Sequence, residues 1–579
     1  MNKNYRWLVK QCNPDAVKQL KQNSIYSENF CKILVARGLS NINEVQSFLN
    51  PTWENIHHYN KFLQMEKAVQ RINNAIDNKE NIAIYGDYDA DGVTATSVLY
   101  QCFSLFNANI TYYIPERNEG YGVKSHAIDK LHEQNVSLII TVDCGISNYA
   151  EVEYAKSLGI DMIITDHHEL GEQLPEAVAV IDPKDKNGGY PFTGLAGVGV
   201  ALKLAWAICQ SRTPNNSEHV LPVFQEFLYN ACGLVALGTV ADVAPLCDEN
   251  RIITKYGLYI LENSRNPGIQ ALKSISNLSN TNTLTAEDIS CRIGPRINAI
   301  GRMASANTCV ELLTTSNMQR AQELAKTLEN TNQRRKNLQS KILQQAKTLI
   351  KDQSLDKQNV IVIGHEEWPV GLIGIIAGRL QEEYCRPVFV ISFENHMGKG
   401  SARSIRGFHL FQTLQKAQQY LTNYGGHELA AGFQIERHQV AAFSRYLNEI
   451  ADEVLTSEDF QPYIDIDAIM DLSSINWDFV HQIDKLEPFG EGNPVPLFQV
   501  NNVEISQNPA PKRYGNKGEH LSFRVQQDRA SFSCIYFQKG ELYDEMMLHS
   551  YCNIIFSIKD NEWKGMHDIQ LNIKDIHFC

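Results

Sequence analysis

The 579-residue sequence has no long apolar run, and no stretch approaches the roughly 18 uninterrupted apolar residues that a membrane-spanning helix needs. Its first ten residues, MNKNYRWLVK, lack the apolar core and the small-residue cleavage site of a signal peptide. The 13 cysteines include no C-x-x-C pair, so a structural zinc site is not expected. An odd number of scattered cysteines also favours reduced thiols. We therefore expect a cytoplasmic protein that has no membrane partner.

Basic residues are outnumbered, with 53 Lys and Arg against 66 Asp and Glu, which gives a net charge of −13. Such a balance would argue against a nucleic-acid partner if the charge were evenly spread. It is not evenly spread, because the segment from Thr331 to Lys351 contains six Lys or Arg and no Asp or Glu. On a helix this run is either a solvated face or a track for a phosphate backbone, and the sequence leaves both interpretations open.

The order of predicted elements indicates an α/β protein with several domains. Strand–helix alternation from about 65 to 260 predicts a mainly parallel sheet covered on both faces. A second α/β unit begins near Val360, and period-two alternation after about Phe460 predicts a small antiparallel barrel. The predicted division is an N-terminal helical segment (1–50), the parallel-sheet domain (51–310), a long linking helix (311–355), the second α/β domain (356–460) and the barrel (461–579).

Three aspartates recur at alternate positions in YGDYDADG, residues 85 to 92. A calcium-binding EF-hand loop with this beginning would need a glutamate at its twelfth position, where this chain has Val98. The stretch also follows the apolar strand NIAI, whereas an EF-hand loop follows a helix. An EF-hand is therefore not expected.

Further acids follow neighbouring strands of the predicted sheet. Asp143 ends the strand LIITVD, and the triplet Asp166, His167 and His168 follows DMIIT. Because ligands bind beyond the carboxyl ends of parallel strands, we expect these side chains to share one edge with the YGDYDADG acids. Five carboxylates there would repel one another unless their pKa values rise or cations bind. Oxygen ligands with one imidazole favour manganese or magnesium, although a single aspartate could instead cap the following helix.

Four motifs in order, YGDYDADG, TVDCGIS, TDHHEL and ALGTVADVAPL, resemble those of the DHH phosphoesterase superfamily. The segments IPERNEGYG, PRINAIGRM, GKGSARS, YGGHELAAGF and PFGEGNPVP resemble its RecJ branch of single-strand-specific exonucleases. The resemblance spans nearly the whole chain. It implies a DHH catalytic domain, a long linking helix, a DHH-associated domain and an OB-like barrel. It also implies removal of mononucleotides from the 5′ end of single-stranded DNA with manganese or magnesium, in recombination and repair.

The same resemblance implies roles for individual residues. One ion would be held by Asp91, Asp143, His167 and Asp242. A second would be held by Asp89 and Asp87, which would share Asp143 with the first. His168 would face the scissile phosphate, and Asp89 would act with it in catalysis. Related inorganic pyrophosphatases have a histidine ligand where this chain has Tyr85, so the resemblance defines the second site less well than the first.

Hydrolysis of a phosphodiester also needs cationic groups near the non-bridging oxygens. The candidates are Arg302 and Arg403, with Ser401 as a hydroxyl donor and with His427 and Arg117 as further contacts. Each arginine could instead form a surface salt bridge, and His427 could be a packed turn residue. In the barrel, KRYGNKGEHLSF brings together cations and aromatic rings that suit a single strand: Lys512, Arg513, Tyr514, Lys517 and Phe523. Phe523 is expected in the barrel core.

Two other functions compete with the exonuclease. One is a DHH hydrolase for short oligonucleotides or other small phosphate substrates, which the additional barrel at 461–579 argues against. The other is a metal-free binding subunit like the DHH-derived one of the eukaryotic replicative helicase, which the retained acids argue against. For the exonuclease, the partner is single-stranded DNA, and the family resemblance adds a single-strand binding protein and a RecQ-type helicase. A monomer is expected.

Overall fold

The structure is a computed structural model that describes residues 5–117, 119–214, 220–279, 283–563 and 565–579. The N-terminal part has one strand followed by three helices: β1 (Arg6–Val9), α1 (Pro14–Gln22), α2 (Glu28–Ala36) and α3 (Ile42–Leu49). The structure differs from the helical prediction at β1. This segment is a strand because it pairs in parallel with Tyr463–Ile466, more than 450 residues along the chain.

A five-stranded parallel sheet forms the first α/β unit, with the strand order β3-β2-β4-β5-β6. Its strands are β2 (Asn81–Tyr85), β3 (Asn109–Tyr113), β4 (Val136–Val142), β5 (Asp161–Thr165) and β6 (Ala179–Ile181). Ile82 and Ile84 join the hydrophobic cluster on one face, whereas Ala83 and Tyr85 join the cluster on the other. Both faces are therefore buried, which explains the nearly continuous apolar, β-branched strands.

Eleven described helices belong to this unit. They are α4 (Met65–Asp77), α5 (Ala90–Ser104), α6 (Ser125–Glu133), α7 (Tyr149–Ser157), α8 (Gly197–Ser211), α9 (Pro222–Ala241), α10 (Asp248–Glu262), α11 (Pro267–Ile275), α12 (Ala286–Asp288), α13 (Gly294–Met303) and α14 (Asn307–Thr314). Helix α9 is long and apolar enough to cross a membrane by length and composition alone. Its apolar window is 67% buried, and its side chains belong to the core cluster, so protein already covers that surface.

The predicted long helix is α15 (Met318–Asp352), which leads into a second, mixed sheet. This sheet has the strand order β10-β11-β9-β8-β7, in which only β7 and β8 run parallel. Its elements are β7 (Ile361–His365), α16 (Val370–Tyr384), β8 (Val388–Glu394), β9 (Met397–Arg403), α17 (Leu410–Lys416), β10 (Leu421–Gly426), β11 (Ala430–Glu436) and α18 (Val440–Val454).

The C-terminal part is a barrel, as predicted. Its elements are β12 (Tyr463–Ile466), β13 (Ala468–Ile469), α19 (Trp477–Asp484), β14 (Phe498–Ile505), β15 (Lys512–Tyr514), β16 (His520–Gln527), β17 (Ala530–Tyr536), α20 (Tyr543–Met546), β18 (Tyr551–Trp563) and β19 (Met566–Phe578). Strand β14 pairs with both β16 and β18, which closes five strands into a ring. Five-stranded closure is the arrangement of an OB fold. Strands β17 and β19 pair in parallel.

The N-terminal helices pack on this barrel. Phe30 and Leu34 of α2 share one hydrophobic cluster with Phe479 and Phe498 of the C-terminal part. The indole nitrogen of Trp7 donates a hydrogen bond to a carboxylate oxygen of Asp575 at 2.8 Å. Burial of each large apolar side chain contributes about 1.5–3 kcal/mol, so these helices and the barrel stabilise each other.

Candidate metal and phosphate site

The YGDYDADG acids lie in the turn between β2 and α5. Asp89 caps α5, because its side chain accepts hydrogen bonds from the amides of Asp91 and Gly92 at 2.9 and 3.1 Å. Asp87 and Asp91 are buried. A Cβ atom at Gly92 would lie 2.5 Å from the carbonyl oxygen of Asp87, so only glycine lets the helix start this close to the turn. Helix capping therefore accounts for Asp89 in part but not for Asp87 or Asp91.

Asp91 points from α5 to the first turn of α8. Its two carboxylate oxygens accept hydrogen bonds from the amides of Gly197 and Val198 at 2.7 and 2.8 Å. Burial and the nearby charge of Asp89 outweigh these bonds and raise the pKa of Asp91 to about 7. The protein thus fixes the carboxylate in place while leaving its negative charge incompletely compensated.

His167 is the point at which acids from three elements converge. Its Nε2 atom lies 3.0 Å from Oδ1 of Asp143, 3.7 Å from Oδ2 of Asp91 and 3.8 Å from Oδ2 of Asp242. Burial and the adjacent positive charge of His168 lower the pKa of His167 to about 4. The imidazole is therefore neutral at pH 7 and can offer a nitrogen lone pair to a cation.

Asp143 connects two groups of potential ligands. One ligand atom each from Asp91, His167 and Asp242 lies within 4.8 Å of the others, and so does one each from Asp87, Asp89 and Asp143. Asp143 joins them, because it forms a third group of this kind with His167 and His168. Three buried atoms of these groups have no hydrogen-bond partner among the described residues: Oδ1 of Asp87, Oδ1 of Asp143 and Nε2 of His167. Buried polar atoms without partners are destabilising, and cations would satisfy them. The donor set of carboxylates and one imidazole fits Mn²⁺ or Mg²⁺.

Three further acids of the cluster, Asp87, Asp143 and Asp242, also have raised pKa values in the absence of cations. Burial and then neighbouring carboxylates raise the pKa of Asp87 and of Asp143 well above their usual range. The same causes raise the pKa of Asp242 to about 9. Bound divalent ions would reverse these shifts, because a close positive charge favours the carboxylate form.

These shifts predict how the metal-free protein responds to pH. The folded-state pKa values of Asp91 and Asp242 exceed the unfolded value of about 3.9, so the folded protein binds more protons between those values. In chelator, the free energy of unfolding should therefore fall as pH rises from about 4 through about 7 to about 9. Thermal unfolding at pH 5 and pH 8 measures this. The Asp242→Asn variant should show a smaller fall, and a fall as large as that of the wild type would contradict the assignment.

His168 lies beside this cluster and is held by two groups. Its Nδ1 atom donates to Oδ1 of buried Asp166 at 2.7 Å, and the hydroxyl of Tyr121 lies 2.9 Å from the same nitrogen. That hydroxyl also donates to the carbonyl oxygen of Asp143 at 3.1 Å. Burial lowers the pKa of His168, but the hydrogen bond to Asp166 and the surrounding carboxylates outweigh it and raise the pKa to about 9. At neutral pH His168 is a cationic donor next to the acid cluster.

The sequence pattern gave no role to Asp166 and did not single out Tyr121. Asp166 could have been found, because a carboxylate that precedes two histidines is well placed to orient one of them. Tyr121 lies in the IPERNEGYG segment, but only the folded chain brings it to Asp143. Tyr85 is not brought to the acids in the same way. Its hydroxyl donates to the carbonyl oxygen of Gly122 at 3.3 Å. Its ring packs in the hydrophobic cluster that also contains Ala83, on the face of the sheet opposite to Ile82 and Ile84.

Arg302 on α13 is a cationic side chain close to the acidic turn. This helix docks on the acidic turn, where the amide of Ala90 donates to Oδ1 of Asn298 at 2.8 Å. The guanidinium of Arg302 donates to the carbonyl oxygen of Gly371 at the start of α16, 2.9 Å away. Burial, followed by the charges of Arg117 and Arg335, lowers the pKa of Arg302 to about 10. Arg302 thus lies within electrostatic range of two further arginines and of Asp89.

Arg302 and Arg403 line the same cavity of about 340 Å³ between α16 and β9. Its lining is Arg302, Gly374, Ile375, Gly378, Arg379, Glu382 and Arg403. Arg403 donates to Oγ of Ser401 at 3.4 Å, and burial lowers the pKa of Arg403. A Cβ atom at Gly374 would lie 3.1 Å from Oγ of Ser401, so the glycine brings the helix close to that hydroxyl. Arg302 and Arg403 thus share one cavity, and Ser401 is linked to them by its hydrogen bond with Arg403.

Arg117 and His427 approach the site from two other directions. The guanidinium of Arg117 lies 4.8 Å from the ring centroid of Tyr88, in the acidic turn. His427 is exposed at the tip of the β10–β11 hairpin. The pKa of Glu169, the residue after His168, is lowered mainly by a hydrogen bond with Lys184 and to a smaller extent by His427. Arg117 thus contacts the acidic turn, whereas His427 lies within electrostatic range of the loop that carries His168.

The basic segment of α15 has residues that fit a solvated face and residues that fit a track for a phosphate backbone. Arg335 is oriented by Asn332 at 3.0 Å, and its charge helps to lower the pKa of Arg302, after burial and Arg117. Lys347 instead forms a surface ion pair with Glu383 at 2.6 Å.

In the barrel, Phe523 is buried as predicted, whereas Tyr514 is exposed. The ring of His520 lies between those of Tyr514 and Phe537, with centroids 5.8 and 5.2 Å away.

Comparison with known proteins places these features in a family. Three family models match: the DHH family N-terminal domain at residues 81–239, the DHHA1 domain at 357–453 and the RecJ OB domain at 466–575. The single-stranded-DNA-specific exonuclease RecJ of Bacillus subtilis (strain 168) is 36% identical over 573 residues, which cover 98% of this chain and 70% of that protein. The chain belongs to the RecJ family. The resemblance and the fold class predicted from the sequence are both confirmed.

Solved structures of RecJ from Thermus thermophilus agree with this membership. The structure in complex with Mn²⁺ is 26% identical and has a TM-score of 0.83, covering 100% of this chain and 80% of that one. The structure in complex with Mg²⁺ is 25% identical and has a TM-score of 0.75, covering 99% and 78%. The overall fold of the RecJ family therefore extends over the whole chain.

Proposed function

We propose that this RecJ-family chain is a metal-dependent exonuclease that hydrolyses phosphodiester bonds of single-stranded DNA. It would release mononucleotides in the 5′-to-3′ direction during recombination and repair. The observation that carries the proposal is the convergence of five aspartates and one neutral histidine, with buried unpaired ligand atoms, beside a cavity lined by arginines. Acids for cations and arginines for phosphate are the two requirements of phosphodiester hydrolysis.

The residues divide between two cation sites. Asp91, Asp143, His167 and Asp242 hold one Mn²⁺ or Mg²⁺ ion, and Asp87, Asp89 and the shared Asp143 hold the second. Ions bound there supply water activation and neutralise charge on the phosphoryl oxygens. Asp89 would also take part in catalysis, and the hydrogen bonds that its side chain accepts from the first amides of α5 hold its carboxylate in place.

The surrounding side chains bind and orient the substrate. His168 is protonated and held by Asp166, so it donates to an oxygen of the scissile phosphate. Arg302 and Arg403 grip phosphoryl oxygens through charge-assisted hydrogen bonds, and Ser401 adds a hydroxyl donor. Arg117 and His427 contact the phosphates that flank the reacting one. The exposed rings of Tyr514 and Phe537 offer stacking surfaces for bases farther along the strand.

The proposed domain division follows the sequence and the packing of the N-terminal helices, and the proposed partners and location follow the family resemblance. The boundaries predicted from sequence are retained, and the packing of α1 to α3 on the barrel supports treating residues 1–50 and 461–579 as one folding unit. A single-strand binding protein and a RecQ-type helicase are proposed as partners on the family resemblance alone. A cytoplasmic monomer is proposed on the same basis.

The proposal is tested with purified protein and single-stranded, duplex and RNA substrates that carry a label at either end. With manganese, a 5′-labelled single strand should release labelled mononucleotide at once, whereas a 3′-labelled strand should shorten progressively. Chelator should stop both reactions, and the duplex should resist. Immediate release of the 3′ label would contradict the polarity. Cleavage confined to strands of a few nucleotides would favour the small-substrate hydrolase instead.

A further inference from the structure

The segment PFGEGNP, residues 488 to 494, docks on the turn that carries Asp242. The amide of Leu246 donates to the carbonyl oxygen of Glu491 at 2.7 Å. Both glycines of the segment allow this approach: a Cβ atom at Gly490 would lie 2.6 Å from Cδ1 of Leu246, and one at Gly492 would lie 3.3 Å from Cβ of Pro245. The barrel part of the chain therefore touches the turn only a few residues beyond a proposed metal ligand.

This turn has an unfavourable backbone conformation. Val243, directly after Asp242, has φ of +61°, in the left-handed region that β-branched residues avoid. Its side chain is 64% exposed, so burial of the side chain does not compensate for the strain. A residue in such a conformation persists only where the surrounding structure imposes it. The contacts of the turn must therefore hold Asp242 in place.

Asn250, in the first turn of α10, supplies one of these contacts. Its Nδ2 atom donates to the carbonyl oxygens of Pro245 at 3.1 Å and of Gly194 at 2.6 Å. Gly194 precedes Leu195, whose backbone forms a hydrogen bond with His167, and Gly197, whose amide binds Asp91. One buried amide side chain thus connects the segment that carries Asp242 to the segment that orients two other proposed ligands.

The next residue, Arg251, turns to the barrel side. Its buried guanidinium donates to the carbonyl oxygens of Lys485, Leu486 and Glu487 at 3.1, 2.8 and 2.8 Å. It also donates to the carbonyl oxygen of Phe48 at 2.9 Å and lies 4.0 Å from the centroid of that ring. Arg251 therefore fixes the segment that leads into PFGEGNP, and through it the contact between Glu491 and Leu246.

We propose that Arg251 is a positioning residue through which the barrel sets the geometry of Asp242 and hence the affinity of the first cation site. The inference rests on the proposed function, because it takes Asp242 to be a metal ligand. Asn250 and Arg251 are neighbours on one rigid helical turn, one bound to the ligand-bearing segments and the other to the barrel. Displacement of the 485–491 segment would release Leu246, relax Val243 and move the Asp242 carboxylate away from His167.

The test compares Mn²⁺ binding to the full-length wild type, Arg251→Lys and Gly490→Ala, measured from the free-ion electron paramagnetic resonance signal. Lysine keeps the charge but cannot reach carbonyl groups on both sides. Gly490→Ala is a second variant in case Arg251→Lys folds poorly. It disturbs the same contact from the barrel side, 239 positions along the chain from Arg251. Arg71→Lys is the matched control, because Arg71 is also a mostly buried arginine but binds Glu80 and Asp161 at 2.7 and 2.6 Å.

Both variants should weaken binding of one Mn²⁺ ion by about tenfold, at the low end of the effect of residues that orient metal ligands. The half-saturating Mn²⁺ concentration for cleavage of short oligonucleotides should rise equally, and Arg71→Lys should change neither. A lower melting temperature with unchanged Mn²⁺ affinity would make Arg251 a domain anchor only and overturn the inference. A wild type that binds no Mn²⁺ would overturn the proposed function as well, so the two failures are distinct.

Discussion

Replacement of Asp143 by alanine should abolish manganese-dependent hydrolysis, with kcat/KM falling by roughly 1,000-fold or more. Asp143 belongs to the group with Asp87 and Asp89 and lies 3.0 Å from His167 of the other group, so its loss should disrupt both proposed cation sites together. Metal ions contribute several kcal/mol of transition-state stabilisation, and about 1.4 kcal/mol corresponds to tenfold in rate. Initial rates on a 5′-phosphorylated single strand over a range of manganese concentrations measure the loss.

The same variant should fold, and without metal it should be more stable than the wild type. Burial and four neighbouring aspartates raise the pKa of Asp143, so removal of its carboxyl group relieves repulsion in the metal-free protein. Melting temperatures in chelator at pH 8 test this expectation. Asp185→Asn is the control, because Asp185 is a buried aspartate near the same sheet edge that accepts a hydrogen bond from the amide of Asn187. Substantial activity in Asp143→Ala would remove Asp143 from the metal site.

Replacement of Arg403 by alanine should cost about 2–3 kcal/mol of transition-state stabilisation on 5′-phosphorylated strands, which is roughly 30- to 150-fold in kcat/KM. Arg403 and Arg302 line one cavity, with the hydroxyl of Ser401 between α16 and the sheet. A terminal phosphate is the group that an internal site on the strand lacks, and a cavity of this size and charge can hold it. The loss should therefore be smaller on strands that begin with a 5′-hydroxyl.

Matched substrates that differ only in the 5′ group distinguish end recognition from general backbone binding. Manganese affinity should stay close to that of the wild type, because Arg403 lies on the second sheet and outside both ligand groups. Arg406→Ala is the control, since Arg406 is exposed nearby and packs over the ring of Tyr463, 5.7 Å away. An equal loss on both substrates would leave Arg403 as a contact to any phosphate of the strand.

The acid cluster is predictable from the sequence because its geometry follows from topology. Asp143 directly follows β4 and Asp87 follows β2 after one glycine, and parallel strands present their carboxyl ends at one edge. Asp242 is different. It follows helix α9, so no strand-end argument reaches it, and only the resemblance to the DHH motifs selected it. The division of the acids between two cation sites also came from that resemblance, since spacing along the chain does not encode which acids share Asp143.

The features that the sequence did not reveal depend on backbone atoms or on contacts between distant segments. The amides of Gly197 and Val198 that hold Asp91 carry no side-chain signal. Arg251 binds carbonyl groups, which every residue has, so its partners could not be read from composition. The segment Arg6–Val9 has the length and apolarity of a marginal strand, and only its partner at Tyr463–Ile466 decides its conformation.

The packing of the first three helices on the barrel has a consequence for synthesis of the protein on the ribosome. Their apolar face, which includes Phe30 and Leu34, is completed by strands that begin more than 400 residues after Leu49. At roughly 5–20 residues per second, translation needs about 25 to 105 seconds to deliver the last of those strands. During that interval the parallel-sheet unit can fold, but the nascent N-terminal helices still expose apolar surface. The emerging chain therefore offers a binding site for chaperones at its N-terminal end until the barrel closes.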